Sequence, residues 1–472
     1  MQSVFNYSFF LFIFHENSEK YICLFSKYPL YLKYIFITVC SPKMYKLCFR
    51  LFLFFLYYFI YFILDNQQKE GIFMMLNNRW INGAIPAVGI HLSIGAVYAW
   101  SVFTNPVMEA LDAPLSQVSW VFSIAIFFLG MSAAFLGTIV ENMGPRKSGA
   151  LCGLFYCTGL IGSGFAISIG SLPLLYLFYG CIGGIGLGIG YITPVKTLVN
   201  WFYDRPGLAT GLAIMGFGFA AALAGPVISN LIINVGLVNT FYTIGIVYFI
   251  IIMLSAFFIH PVPEGYLPEQ QEHKDRRKQY TANEAMKTWK FYALWFMLFI
   301  NITCGIALLS VASPILQETT GMSAVAAASI VGVMGIFNGG GRLGWATLSD
   351  YFGRDVVYTG FFVLEIVAML ILGNVQQVIL FQVFLFIVMT CYGGGFSCIP
   401  AYLGDVFGTK HLSSIHGRIL TAWACAGIVG PCIISAAKEM LSTYQDTLFI
   451  FAVLYACALV VSAFLLYKLR TE

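Results

Sequence analysis

Charged residues are scarce in this sequence of 472 residues. Asp, Glu, Lys and Arg make up 10% of the chain, whereas 59% of its residues are hydrophobic and its mean hydropathy is +0.83. A soluble domain carries about 25% charged residues, so the chain is not a water-soluble globule. Disordered chains combine low hydrophobicity with high net charge, and the net charge here is only +4. A polytopic membrane protein is the class that remains.

Motifs for redox, metal, nucleotide and nucleic-acid chemistry are also missing. No two of the 12 cysteines have C-x-x-C spacing, and we interpret them as small hydrophobic packing residues. The glycine string 180–190 lacks the Gly-Lys-Ser/Thr of a phosphate-binding loop, so it indicates close helix packing. No stretch has the basic density of a nucleic-acid footprint, and no His, Asp and Glu cluster suggests a membrane enzyme. We expect no enzymatic activity, cofactor, metal site or nucleic-acid partner.

Twelve apolar segments follow residue 79, and each approaches the ~20 residues that a spanning helix needs. The longest break, 261–288, contains the charged run 273–278 and divides the segments into two groups of six. We predict an all-α polytopic membrane protein with an N-terminal six-helix half (74–260), a cytosolic linker (261–288) and a C-terminal six-helix half (289–472). Within the linker, Thr281 and Glu284 have capping-box spacing and predict a short helix. The predicted spans are 80–104, 116–138, 148–170, 173–199, 206–231, 237–260, 289–314, 323–348, 355–375, 378–403, 415–437 and 446–468.

The orientation follows from the distribution of Lys and Arg between the loops. With the start of the first span inside, the inner loops hold nearly all of the basic residues, and the outer loops hold Lys438 alone. Cytoplasmic loops carry the excess of Lys and Arg in membrane proteins. We therefore expect a multi-pass protein of the cell membrane, plasma or inner, with both termini in the cytosol.

The first 73 residues differ from the rest. They lack glycine until Gly71, and their apolar run 51–64 is short for a span and lies too far from the start for a usual signal peptide. The residues 69–74 can be encoded by a purine-rich ribosome-binding sequence followed by a start codon. We expect translation to begin at Met74 or Met75, which makes residues 1–73 a non-native extension from a misassigned start.

Several features recur at offsets of 205–209 residues. Such a recurrence, together with matching hydropathy, indicates a duplicated six-helix unit. The matched features are Glu141-x-x-Gly144-x-Arg146 with Asp350-x-x-Gly353-Arg354, Pro194 with Pro400, and Gly225-Pro226 with Gly430-Pro431.

These turns resemble the signature of the major facilitator superfamily. Within it, further strings resemble the oxalate:formate antiporter family, although related monocarboxylate carriers share parts of them. The resemblance implies two pseudo-symmetric halves and a carrier of small carboxylates in a lipid bilayer that acts as a monomer. The strings are Gly95-Ala-Val-Tyr98-Ala-Trp100-Ser-Val-Phe103 with Pro106, Trp201-Phe202, Gly207-Leu-Ala-Thr-Gly211-Leu and Asn338-Gly-Gly-Gly-Arg342.

Arg342 is the clearest candidate for substrate binding. It precedes Asp350, which we place at the cytosolic surface, by eight residues. A rise of 1.5 Å per residue puts it ~12 Å deep, near the midplane of a ~30 Å hydrocarbon slab. A guanidinium grips a carboxylate bidentately, and a buried permanent cation needs an anion. The resemblance also puts the family's binding arginine here. The alternative is a structural arginine that pairs with backbone carbonyls or a helix C-terminus.

The resemblance implies an aromatic substrate cavity on helices 1, 4, 5, 10 and 11. Phe217 and Phe396 stand where the best-known pattern has tyrosines, which removes two hydroxyl donors. Trp423 lies where members that exchange dicarboxylates carry a lysine, so this position is neutral. One cation suits one carboxylate, because an uncompensated buried charge costs several kcal/mol. We expect a monocarboxylate bound by Arg342, Tyr98, Tyr191, Phe217, Tyr392, Phe396 and Trp423.

Two other ionisable residues lie inside predicted spans. His91, near the middle of helix 1, is a candidate for proton coupling or a structural hydrogen bond. Glu365 is a second proton-coupling candidate, but it lies on helix 9, which is outside the cavity in this superfamily. At the cytosolic turns, Glu141, Arg146, Asp350 and Arg354 are expected to form a gate, while Gly144 and Gly353 provide the tight bends.

The residues thus favour a secondary transporter that exchanges small organic anions, such as formate, lactate or pyruvate, by alternating access. No Asp or Glu falls in the predicted interior of helices 1, 4, 7 or 10, which weakens a proton-symport interpretation. The alternatives are a proton-coupled monocarboxylate symporter and, less favoured, a transporter-like sensor.

The expectation for the N-terminus is tested by mass spectrometry of the protein purified from its natural source without an added tag. The first peptide should begin at Met74 or Met75, or at the residue that follows if the methionine is removed. Any peptide from residues 1–73 contradicts a start at either methionine.

Overall fold

The computed structural model describes residues 13–16, 19–22, 78–202, 206–263, 279–408, 411–441 and 443–471. The chain divides into two units, residues 1–47 and 48–472. In the first unit, strands β1 (Ile13–Glu16) and β2 (Glu19–Ile22) form an antiparallel pair with Ile13 opposite Ile22. Three parts of the chain lie outside the described residues: the rest of the predicted extension, the two methionines Met74 and Met75, and most of the predicted linker (264–278).

Within the described part of the chain, twelve helices are long and apolar enough to cross a membrane, which confirms the predicted number. We label them α1 to α12. Their bounds are α1 Trp80–Ala99, α2 Leu115–Phe135, α3 Asn142–Ser168, α4 Leu172–Val195, α5 Ile214–Val235, α6 Leu237–Phe258, α7 Trp289–Thr320, α8 Ala324–Phe352, α9 Arg354–Leu372, α10 Val378–Phe407, α11 Ser414–Leu441 and α12 Asp446–Thr471.

Some spans are irregular or extend beyond these bounds. Three spans are divided into consecutive helical segments. Helix α1 consists of π-helical Trp80–Ala84, α-helical Ile85–Ile94 and 3-10 Gly95–Ala99, and α4 consists of α-helical Leu172–Leu175, π-helical Tyr176–Gly183 and α-helical Gly184–Trp201. Helix α11 is divided into Leu412–Ile419 and Thr421–Leu441. Four spans are parts of longer helical stretches: α1 continues as Ser101–Leu111, α3 lies within Gly137–Ser168, α5 within Pro206–Val235 and α12 within Gln445–Thr471.

The 3-10 segment of α1 was not predicted from the sequence. It begins at Gly95, where a Cβ atom would lie 2.5 Å from the Phe217 carbonyl oxygen of α5. A glycine is therefore needed for this close approach between α1 and α5. The same segment carries Tyr98, one of the predicted binding residues.

The repeated turns have the predicted glycine geometry. Gly144, near the start of α3, has φ = +77° and kinks the chain there, and Gly353, between α8 and α9, has φ = +92°. Residues with a Cβ rarely adopt this backbone conformation, so both halves use a glycine at the equivalent turn. The predicted capping box is also present: Thr281 Oγ1 accepts from the Glu284 amide at 3.3 Å, and helix Ala282–Ala285 follows.

The interpretation of the cysteines as packing residues holds only in part. Among the nine cysteines that the structure describes, all of which are free thiols, Cys457 is exposed and three are half-buried. Apolar runs do not distinguish the lipid-facing side of a spanning helix from its packed side, because both sides are apolar in a bilayer.

Helix α8 packs closely on both sides through glycines. A Cβ atom on Gly341 would lie 2.3 Å from the Thr390 carbonyl oxygen of α10, and one on Gly218 of α5 would lie 2.8 Å from Gly339 Cα. Gly340, in the same run, has open space around its Cα. Small residues at these contacts hold α8 against both neighbours.

Gly341→Ala and Gly340→Ala test this packing as a matched pair. Overpacking costs about 1–3 kcal/mol, so Gly341→Ala should lower the thermal unfolding temperature in detergent. Gly340→Ala should leave it unchanged or raise it, since alanine favours helix by ~1 kcal/mol. The unfolding temperature is measured by fluorescence-detected size exclusion after heating. Equal unfolding temperatures for the two variants would contradict a close contact at Gly341.

Candidate functional site

The Arg342 side chain lies in the interior of the bundle and is 2% exposed. Its Nε donates to Asn338 Oδ1 at 3.2 Å, and its Nη1 donates to the Ile214 carbonyl oxygen at 3.5 Å. Both acceptors are neutral. Its Nη2 has no acceptor among the described residues, and no acidic side chain there pairs with the guanidinium. Within the described part of the chain, the positive charge therefore has no paired anion.

The six predicted aromatic residues meet in one cluster, which we call the aromatic cage: Tyr98, Tyr191, Phe217, Tyr392, Phe396 and Trp423. All six are at most 3% exposed. They come from α1, α4, α5, α10 and α11, so both six-helix halves contribute. The ring-centroid distances are Tyr98–Phe217 4.9 Å, Tyr98–Tyr392 6.0 Å, Tyr191–Phe217 5.6 Å, Tyr191–Trp423 5.2 Å, Phe217–Trp423 6.0 Å, Tyr392–Phe396 5.5 Å and Phe396–Trp423 4.8 Å.

The guanidinium lies directly against this cage. Arg342 Cζ is 5.0 Å from the centroid of the Phe396 ring, a distance at which a cation is attracted to the ring face. It also interacts electrostatically with the hydroxyl groups of Tyr98, Tyr191 and Tyr392. The Tyr392 hydroxyl donates to the Tyr98 hydroxyl at 2.8 Å, which links α10 to α1 across the two halves.

Three buried hydrogen-bond donors in the cage and its surroundings lack an acceptor among the described residues. Arg342 Nη2, Asn338 Nδ2 and Trp423 Nε1 are buried and donate to no acceptor among the described residues. Asn338 belongs to the Asn338-Gly-Gly-Gly-Arg342 motif, but its contact with Arg342 was not predicted from the sequence. Its position four residues before Arg342, on the same helix face, was the available signal.

His91 also contacts the cage. Its ring stacks on Tyr191 at 5.7 Å and meets the edge of Phe217 at 6.1 Å. Its Nε2 lies 3.1 Å from the Tyr191 carbonyl oxygen. A titratable group thus lies beside the aromatic residues that surround Arg342.

Glu365 lies elsewhere, within the C-terminal half. Helix α9 is peripheral, as the resemblance implies, but the Glu365 side chain points inward and is 0% exposed. Its Oε1 accepts from Asn301 Nδ2 of α7 at 3.0 Å, and that nitrogen lies 3.4 Å from the Cys391 carbonyl oxygen of α10. Glu365 is therefore not among the residues that contact Arg342 or the cage.

The predicted gate residues are placed at the turns, but the observed pairs stay within single halves. Arg354 Nη2 lies 2.6 Å from Asp350 Oδ1, and Arg354 Nε lies 3.3 Å from Asp405 Oδ2. In the other half, Arg146 Cζ lies 5.6 Å from the Phe257 ring centroid. The side chain of Glu141 lies outside the described part of the structure.

At the opposite end of the bundle, an open vestibule of about 690 Å³ lies between the two halves. Lys438 of α11 pairs there with Glu318 of α7. The Ser116 amide at the start of α2 donates to Glu439 Oε1 at 2.8 Å, which joins the halves at this end. A carboxylate at a helix N-terminus is favourable because it meets unpaired amides.

Two six-helix halves around a buried polar site define a membrane transporter of the secondary type. The chain belongs to the Major Facilitator Superfamily, whose profile matches residues 71–431 and 294–472. This membership confirms the superfamily resemblance and the transporter class, and it excludes an enzyme.

Individual relatives agree with the finer resemblance. The "Oxalate:formate antiporter" of Oxalobacter formigenes is 28% identical over 78% of this chain and 87% of its own length. "Monocarboxylate transporter 2" of Meriones unguiculatus is 29% identical over 40% of this chain and 38% of its own length. A solved bacterial homolog of the human lysosomal transporter Spinster, inward-facing and occupied, has a TM-score of 0.63. It covers 80% of this chain and 95% of its own at 13% identity, so this likeness supports the fold alone.

Proposed function

We propose that this transporter carries small monocarboxylates, such as formate, lactate or pyruvate, by alternating access, and that it works by exchange. The observation that carries the proposal is the buried Arg342 guanidinium, whose Nη2 is unmatched by any acceptor in the described chain. Intramembrane charges are rare, and they are paired or mark a substrate pathway. A carboxylate substrate supplies the missing anion.

The charge around the cage supports one carboxylate rather than two. Among the described side chains, Arg342 is the single cation that lies over a ring of the aromatic cage. A second carboxylate would stay uncompensated at a cost of several kcal/mol. The name of the oxalate:formate antiporter includes both a dicarboxylate and a monocarboxylate, and the neutral Trp423 favours the monocarboxylate here.

The contacts between the halves support alternating access. Arg342 of α8 reaches the Ile214 carbonyl of α5, and Tyr392 of α10 reaches Tyr98 of α1. A rocking motion of one half against the other therefore changes the binding site itself, as expected for a carrier with a midplane site. Substrate that favours one arrangement of these contacts shifts the equilibrium between the two states.

We propose that the turn residues form the cytosolic gate. This rests on the predicted orientation in the cell membrane, which puts both termini in the cytosol. In the present conformation Arg354 is held within its own half by Asp350 and Asp405. Its release from Asp405 is the step that frees it for contact with the N-terminal half, which carries Glu141 and Arg146.

Counterflow in proteoliposomes tests the role of Arg342. Labelled formate or lactate should enter vesicles that contain the same unlabelled anion. Arg342→Gln should lower this uptake at least a hundredfold, because breaking a buried ion pair costs about 3–5 kcal/mol. Asn338→Asp should also inhibit, since it places a resident carboxylate beside Arg342 Nε and so competes with the substrate.

Arg79→Gln is the matched control for this experiment. Arg79 also lies over a phenylalanine ring, that of Phe202, at 4.7 Å, but it does not contact the aromatic cage. Its variant should retain counterflow. Full counterflow by Arg342→Gln would remove the guanidinium from the mechanism.

His91 supports proton-coupled symport as the second candidate function, because it contacts both Tyr191 and Phe217. Histidine changes charge between pH 5 and 8. Vesicles without internal substrate and with an acidic exterior distinguish the two functions. A protein that works only by exchange gives no uptake above that of vesicles without protein. Uptake that depends on the pH gradient establishes symport, and its loss in His91→Gln or in Glu365→Gln identifies the coupling residue.

A further inference from the structure

The indole nitrogen of Trp423 is a buried donor that makes no hydrogen bond within the described part of the chain. Trp423 is 0% exposed, and its Nε1 has no acceptor among the residues described. Buried tryptophans usually find a partner for this N–H. The indole ring is enclosed by three other rings of the aromatic cage, those of Tyr191, Phe217 and Phe396.

Two other tryptophans in the bundle have acceptors. Trp201 Nε1 donates to the His260 carbonyl oxygen at 2.7 Å, and Trp295 Nε1 donates to Thr421 Oγ1 at 2.9 Å. Trp295 thus hydrogen-bonds to the residue at which α11 resumes after its break, two positions before Trp423. The unmatched indole therefore lies inside the cage, where a bound anion would be enclosed.

The indole and the guanidinium share one neighbour. The Phe396 ring lies 5.0 Å from Arg342 Cζ and 4.8 Å from the ring of Trp423. The guanidinium and the indole ring therefore lie on the same phenylalanine, close enough for a short anion held by Arg342 to approach the indole. An indole N–H carries no charge, so it matches a neutral oxygen acceptor but does not neutralise a second carboxylate.

We infer that Trp423 determines specificity by donating its indole N–H to a carbonyl or hydroxyl oxygen beside the carboxylate bound by Arg342. The substrate class is then 2-oxo and 2-hydroxy monocarboxylates. This inference rests on the proposed function, and it narrows that function. Propionate matches pyruvate and lactate in carbon number but lacks the 2-oxygen, so it leaves the indole unmatched.

The test compares pyruvate, lactate and propionate in proteoliposomes that contain wild-type protein or Trp423→Phe. Wild type should have a lower KM for pyruvate and lactate than for propionate. Trp423→Phe keeps an aromatic ring and removes the donor. It should raise the KM for pyruvate and lactate about three- to tenfold more than the KM for propionate, as expected for the loss of one neutral hydrogen bond. Retained propionate uptake shows that the variant is folded.

Trp295→Phe is the control, because it removes an indole N–H whose acceptor is Thr421, outside the cage. It should leave the ratio of the pyruvate and propionate KM values unchanged. Equal effects of Trp423→Phe on the three acids, or no effect, overturn the role of Trp423 but leave the proposed function intact. If wild type transports none of these acids and no formate, the proposed function fails and the inference fails with it.

Discussion

A buried guanidinium that pairs with no acidic side chain of the described residues is the constraint on which the rest of this structure depends. Arginine does not lose its proton in proteins, so burial of Arg342 cannot be relieved by neutralisation. Its contacts include a side-chain amide oxygen, a backbone carbonyl oxygen, an aromatic face and the hydroxyl groups of Tyr98 and Tyr191. Each stabilises the cation in part, and none carries a negative charge. In the proposed function, this charge is what selects an anionic substrate.

The packing of α8 follows from the same requirement. For Arg342 to reach the Ile214 carbonyl, α8 must approach α5 closely, and a Cβ atom on Gly218 would lie 2.8 Å from Gly339 Cα and 3.4 Å from Arg342 Nε. Glycines are thus needed where the charged side chain crosses between the halves. The cation consequently belongs to the interface between the halves, so substrate binding and the relative position of the halves are physically coupled.

Hydropathy and charge predicted the twelve spans because a bilayer demands long apolar helices whatever their packing. The turns at Gly144 and Gly353 were also predictable, since a tight bend there needs a left-handed residue. The convergence of the six aromatic residues could be predicted only with the family resemblance, because lipid-facing and buried aromatic residues look alike in a sequence. The 3-10 segment at Tyr98, the amide partner Asn338 and the inward direction of Glu365 depend on tertiary contacts, which apolar periodicity does not encode.

The position of Glu365 explains how an acidic residue and an unpaired arginine coexist in one bundle. An acid in the cage would pair with Arg342 and compete with any anionic substrate. Glu365 instead accepts a hydrogen bond from the side-chain amide of Asn301, which also lies 3.4 Å from the Cys391 carbonyl oxygen of α10. The next residue of α10, Tyr392, belongs to the aromatic cage. Helix α10 therefore separates the acid from the cation. Because Glu365 does not neutralise the guanidinium, the proposed function leaves the charge of Arg342 to the anionic substrate.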